Sequence, residues 1–338
     1  KPLFYNDLYK LFSKFRGNSS SDGVDGWRLD VTEDVGHGFW KEWHEHIRSI
    51  NPDIYTTAEI WGRNANEYIK EDGFTASMNY PFLRAVHKFF IKEEFTAAQL
   101  DTSLANIRKL NNSAVNLAMQ NLMGSHDTER LASMIVNSDL DFKENSEIKN
   151  YSDQYKIRKP NDTERKIQKL IALFQYTYVG SPMVYYGDET GMWGADDPDD
   201  RKPMVWEELS YDDEVNHPFS HNRPRDANAF NADLHKWYQK LGKLRDERDE
   251  LKTGKYNFLQ TGKSQTLAFV RFNENQEVSL IAINRDEKES KVTLKIPVDI
   301  AKRPYNFKNE LTNFAISTSG NNRITFQLPP LSAAVFTN

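Results

Sequence analysis

The chain has 338 residues, 38% hydrophobic and 28% charged, which suits one large globular domain or a large and a small one. A net charge of -5 gives no reason to expect nucleic acid or an anionic membrane as partner, and no apolar run approaches the roughly 20 residues of a membrane helix. Cysteine is absent, which excludes disulfides, thiol catalysis and cysteine metal sites but leaves the compartment open.

FYNDLYKLFSKF (4–15) has apolar residues at helical spacing, and RGNSSSDG follows as a polar loop. VDGWRLDV (24–31) reads as a short strand and FWKEWHEHIRSI (39–50) as an amphipathic helix. IYTTAEIW (54–61) is a second strand and FTASMNYPF (74–82) a third. A long helical stretch is expected over 82–110. NLAMQNLMG (116–124) is a near-continuous apolar run that enters SHDTER. Residues 138–160 are polar and read as a surface excursion. RKIQKLIALFQYTY (165–178) is a helix, SPMVYYGDE (181–189) a short buried strand with a turn, and 190–230 a long acidic loop region. FNADLHKWYQKLGKLRDERDEL (230–251) is the last clear helix.

The texture changes near residue 252. TLAFVRF, EVSLIAIN, KVTLKIP, RITFQL and AAVFTN are short strands separated by turn residues, the spacing of an antiparallel sandwich. The sequence therefore divides into residues 1–251, where strands alternate with helices as parallel βα units, and residues 252–338, which are all β.

Each of the five βα strands runs into polar groups: Arg28 and Asp30, Glu59, Asn79, His126 and Asp127, Asp188 and Glu189. In a (β/α) barrel the chemistry lies at these strand ends. Side chains alternate along a strand, so Arg28 and Asp30 share one face while Trp27 and Leu29 take the other, toward the helices. Two carboxylates with a cation beside one of them meet the needs of glycoside hydrolysis. One carboxylate stays ionised and the other holds a proton for the leaving oxygen. Taken singly, Arg-x-Asp is more often a structural ion pair, and His126-Asp127 more often a cap or loop pair. The joint occurrence at ordered strand ends favours the active-site reading.

GVDGWRLDV, TTAEIWG, MNYPF, NLMGSHDTER and GSPMVYYGDETGM, in that order, resemble the successive signature segments of the α-amylase superfamily, glycoside hydrolase family 13. The flanking text is most similar to its neopullulanase, cyclomaltodextrinase and maltogenic amylase branch. The resemblance implies an α/β fold: the C-terminal portion of a (β/α)8 barrel, strands 4 to 8, followed by an all-β sandwich. It implies that Asp30 is the nucleophile, Glu59 the general acid and then base, and Asp127 a third carboxylate that binds sugar hydroxyls. Arg28 would keep Asp30 charged, and His126 would donate to the sugar. Trp61 would line the acceptor side, and Asp197 with Arg201 would contact the donor side. For the acidic loop holding the last two, a solvated surface turn stays open as the alternative.

The implied reaction is retaining cleavage of α-1,4 links in starch-derived oligosaccharides, pullulan or cyclodextrins, with cleavage of α-1,6 links left open. A transglycosylase on the same fold, or a silent glucan-binding fragment, are the alternatives. Glu33 and Asp34 stand where many α-amylases have Lys-His and this branch has Asn-Glu, so acceptor-side preference is open. The chain opens KPLFYNDLYK, without Met or an apolar leader, and lacks the three strands that precede the nucleophile in a family barrel. It is expected to be part of a larger catalytic unit, since five strands of a closed barrel leave edges unpaired. No cofactor is required by these residues. Calcium would enter only through a part of the barrel preceding Lys1. A homodimer stays open, and a periplasmic or secreted location is favoured slightly over a cytoplasmic one.

Overall fold

The computed structural model describes residues 24–62, 64–142, 155–218, 220–297, 300, 306–312, 315–317 and 322–338. The helix expected over 4–15 and its following loop lie outside the described residues, as does part of the 138–160 excursion. The chain divides into two compact units: residues 1–79 with 118–120, and residues 80–117 with 121–338.

In the first unit, β1 (Gly26–Leu29), α1 (His37–Ile50), β2 (Tyr55–Ala58) and β3 (Ala76–Ser77) follow one another, the strands forming a parallel sheet in the order β1-β2-β3. Gly26 stands opposite Tyr55 in the register, and Leu29 opposite Ala58. The strands approach closely there: a Cβ on Gly26 would lie 2.6 Å from the Tyr55 carbonyl oxygen, so glycine is required. α1 buries Trp40, Trp43, His44 and Ile47 against the sheet. Trp27 meets Trp43 edge to face at 6.5 Å, which puts the odd residues of β1 on the helix side, as the alternation requires. His44 is buried between the Trp40 carbonyl at 2.9 Å and the Thr56 hydroxyl at 3.0 Å. The third strand is shorter than its sequence suggests, because Asn79 and Tyr80 already turn into the next helix.

The second unit opens with α2 (Tyr80–Val86), a π turn (His87–Ile91) and α3 (Ala97–Arg108). The single helix expected over 82–110 is broken. Glu93 takes φ 54°, and Thr96 begins α3 afresh with a capping box to Gln99. The unit continues through α4 (Ser113–Ala118), β4 (Gln120–Leu122), α5 (Leu131–Val136), α6 (Asp162–Thr177), β5 (Ser181–Met183) and α7 (Ala232–Glu247). β4 pairs with β5. α6 is capped by a second box, Asn161 with Glu164, and is buried along most of its length.

The remaining strands are β6 (Lys255–Phe258), β7 (Thr266–Phe272), β8 (Val278–Asn284), β9 (Ser290–Lys295), β10 (Asn306–Asn309), β11 (Ala315–Ser317), β12 (Arg323–Leu328) and β13 (Ser332–Thr337). They form a six-stranded sheet, β11-β10-β13-β8-β7-β6, and a pair, β12-β9. Every pairing is antiparallel. One core joins the two layers, with Leu280 and Ala282 against Val292, Leu294 and Phe326. β9 and β12 alternate buried and exposed residues, so their outer face is wet. β8 is buried throughout, and Phe174 of α6 packs against Phe269 of β7 at 5.9 Å, so helices cover the other face of the large sheet. Among the described residues no helix is long and apolar enough to cross a membrane.

Candidate active site

The first unit gathers Arg28, Asp30 and Glu59 at the exits of β1 and β2. Glu59 is placed by the parallel ladder, its N–H donating to the Leu29 carbonyl at 3.0 Å. The Arg28 guanidinium reaches both carboxylates. One amino group hydrogen-bonds Asp30 Oδ1, and the other lies 2.9 Å from Glu59 Oε1. Glu59 Oε2 accepts from the Val31 N–H at 2.8 Å.

The two carboxylates sit in different surroundings. The Asp30 side chain is 67% exposed and the Glu59 side chain 4%. Burial pushes the Glu59 carboxyl above its ordinary range, and its neighbour Asp30 adds to this. The Val31 amide and Arg28 pull the other way without reversing it. Such a pair can divide labour, one group exposed beside a cation and the other inclined to keep a proton. Trp61, half-buried, follows two residues after Glu59.

The second unit gathers the other cluster. His126 Nε2 lies 3.2 Å from Asp127 Oδ2, and Arg201 Nη2 donates to Asp127 Oδ1 at 3.2 Å. The same arginine pairs through Nε with Asp197 Oδ1 at 2.7 Å. Arg201 thus links the expected donor-side pair to Asp127, and the acidic loop is tied down at these two residues. Asp127 is itself held by its N–H, which donates to the Ser125 hydroxyl at 3.1 Å.

Asp188 parts from this pattern. Asp188 is buried against Arg130 Nη1 at 3.4 Å, and its backbone carbonyl accepts from Gln168. Burial lifts its carboxyl to about 7. Arg130, fully buried, lies over the rings of Tyr185 and Tyr186 at 4.5 and 4.9 Å and donates to the Tyr186 carbonyl. This is a structural network that holds the turn after β5. Asn79 is likewise buried, with its N–H on the Gln120 carbonyl.

Sequence reasoning passed over Val31 and Asp200. Val31 has φ 42° and ψ 45°, left-handed and unusual for a β-branched residue, and nothing in its side chain signals it. Asp200 is fully buried and its two oxygens lack hydrogen-bond partners among the described residues. Its place in the run DDPDDR hid it among solvated acids. Among the described residues no three His, Asp or Glu side chains are grouped to hold a metal ion.

Residues 7–254 match the family model "Alpha amylase, catalytic domain". The chain belongs to the α-amylase family. Within it, the chain is 34% identical over 276 residues to "Neopullulanase 2" of Thermoactinomyces vulgaris, covering 81% of this chain and 39% of that protein. Among solved structures, a "Cyclomaltodextrinase" matches with 28% identity and TM-score 0.72, covering 93% of this chain and 45% of that one. An Anoxybacillus α-amylase shares the fold at TM-score 0.75 and 21% identity, covering 99% of this chain and 62% of that one. The chain thus spans about two fifths of the length of the curated relative. The short parallel strands are those of the α-amylase (β/α) barrel, followed by the antiparallel C-terminal sheets.

Proposed function

We propose that the chain belongs to a retaining α-glucan hydrolase that cleaves α-1,4 links of starch-derived oligosaccharides through a covalent glycosyl-enzyme. The observation that carries this reading is the single guanidinium of Arg28 spanning Asp30 and Glu59, one carboxylate exposed and the other buried. In this reading Asp30 attacks the anomeric carbon. Glu59 protonates the departing oxygen and then takes a proton from the incoming water. Asp127 accepts from sugar hydroxyls, and His126 donates to the sugar. Trp61 lines the acceptor side, and Asp197 with Arg201 the donor side.

The one guanidinium of Arg28 that contacts both Asp30 and Glu59 keeps the two carboxyls near each other and supports retention. An inverting pair needs room for a water between carboxyls roughly 6.5–9.5 Å apart, while a retaining pair sits at about 5–5.5 Å. Carboxyls bridged by a single guanidinium belong with the second spacing. Neopullulanase and cyclomaltodextrinase relatives favour pullulan and cyclodextrins beside starch as substrates, with α-1,6 links included.

The test is release of reducing sugar from soluble starch, pullulan and cyclodextrin by the protein at its full natural length. Products from at least one, with the α-anomer formed first, are expected. Folded protein that releases nothing from any of them overturns the reading, and a β-anomer first overturns retention. Longer products from maltotriose would instead assign transfer to a second sugar.

A further inference from the structure

Resting on that reading, we infer that Val31 is a positioning residue: its left-handed backbone aims the amide N–H at one oxygen of Glu59 and holds that carboxyl oriented for proton transfer. Val31 has φ 42° and ψ 45°. A β-branched side chain disfavours this region strongly, and such backbone persists only where the surroundings hold it. Packing of the isopropyl group is not what holds it, because the residue is 51% exposed.

The turn is braced through its backbone instead. The Val31 carbonyl accepts from Asp34 N–H at 2.9 Å. The Thr32 hydroxyl donates to the Leu29 carbonyl at 2.9 Å, and the Thr32 carbonyl accepts from the Trp40 indole at 3.0 Å. With these contacts made, the Val31 N–H donates 2.8 Å to Glu59 Oε2.

The two Glu59 oxygens are then unlike. Oε2 takes an aligned hydrogen bond from an uncharged donor. Oε1 has Arg28 Nη2 at 2.9 Å, yet that nitrogen makes no aligned hydrogen bond. The aligned contact at Oε2 fixes the orientation of the carboxyl, because that oxygen has a directional N–H donor. The amide also favours the ionised form of Glu59, which keeps the acid from becoming too weak to give its proton up. The donor that orients Glu59 is thereby supplied by backbone rather than by a side chain that could rotate.

The experiment replaces Val31 by its α-hydroxy acid analogue in the full-length protein, turning the amide N–H into an ester oxygen and leaving every side chain in place. Val31→Gly, which keeps the N–H and tolerates the same φ, is the comparison. Loss of the N–H should raise the alkaline limb of kcat/KM by about one pH unit, with the limb of Val31→Gly staying in place. A folded ester variant whose limb does not move overturns the inference.

Should the ester variant not fold, 15N-valine labelling of the unmodified protein decides the matter. The Val31 amide resonance should follow a carboxyl titration that vanishes in Glu59→Gln; an amide blind to that substitution overturns the inference. This readout needs no turnover. A coupled titration in a protein inactive on every glucan would sink the functional reading alone, and an active enzyme with an indifferent amide would sink this one alone.

Discussion

Glu59 and Asp30 share an arginine, so their difference must come from burial. Moving a carboxylate out of water costs more than the partial compensation from one amide and one shared guanidinium, and the protonated form gains. Asp30 keeps its water and its half of Arg28. Asp30→Asn should therefore lower kcat by on the order of 10⁴-fold or more, while leaving the melting temperature near that of the parent, since an exposed side chain buries nothing. Retained turnover in Asp30→Asn would move the nucleophile elsewhere. Glu59→Gln should fail on glucans yet keep much of its rate toward aryl glycosides whose leaving groups need no proton. Equal losses on both substrates would remove Glu59 from the acid role. At this scale the charged residues were legible because their chemistry is in the side chain. Val31 was not, because its contribution is a backbone angle that any sequence letter conceals.

Among the elements, the β1–β2 joint governs the Arg28–Glu59 contact, and Gly26 sets the approach of those strands. Gly26→Ala would drive a methyl carbon to 2.6 Å from the Tyr55 carbonyl. The strands must then part, at a cost of about 1–3 kcal/mol, and the contact two residues along the ladder must lengthen with them. A lower denaturation midpoint together with lower kcat is expected, and an unchanged midpoint would show that the joint yields freely. The strands themselves were readable from apolar runs ending in polar groups, and α6 and α7 from their period. The helix over 82–110 was over-extended because FTAAQ has no proline or glycine to announce a break. The capping box of Thr96 and Gln99 was the available signal, and it outranks an apolar period that continues across it. β6, β10 and β11 were passed over, being three or four residues each and too short to show an alternation.

Across the whole molecule, buried titratable groups set how stability follows pH, and the two kinds oppose each other. His44 and His87 are pushed by burial from 6.5 down to about 4. Between those values the unfolded chain binds protons that the folded one refuses, so their share of stability is complete above about 6.5 and is lost as pH falls toward 4. Asp188 and Asp200 are raised by burial from 3.8 to about 7 and about 8. Here the folded chain keeps protons that the unfolded one has released, so stability is lost as pH rises from about 4 through 7 and 8. From about 4 to 6.5 the two histidines and the two aspartates act in opposite directions and their slopes nearly cancel, with Glu59, also raised by burial, adding to the aspartates' side. Above 6.5 the histidines no longer oppose the aspartates, and stability must fall until Asp200 has ionised. Melting temperature should therefore be nearly level on the acid side of neutrality and decline across neutrality. Asp200→Asn removes one of the two groups responsible and leaves an uncharged side chain of the same size, so its decline should be about half as steep and end about one pH unit earlier. Parallel declines in the two proteins would mean that Asp200 is ionised in the folded chain throughout, and that its buried oxygens have partners outside the described residues.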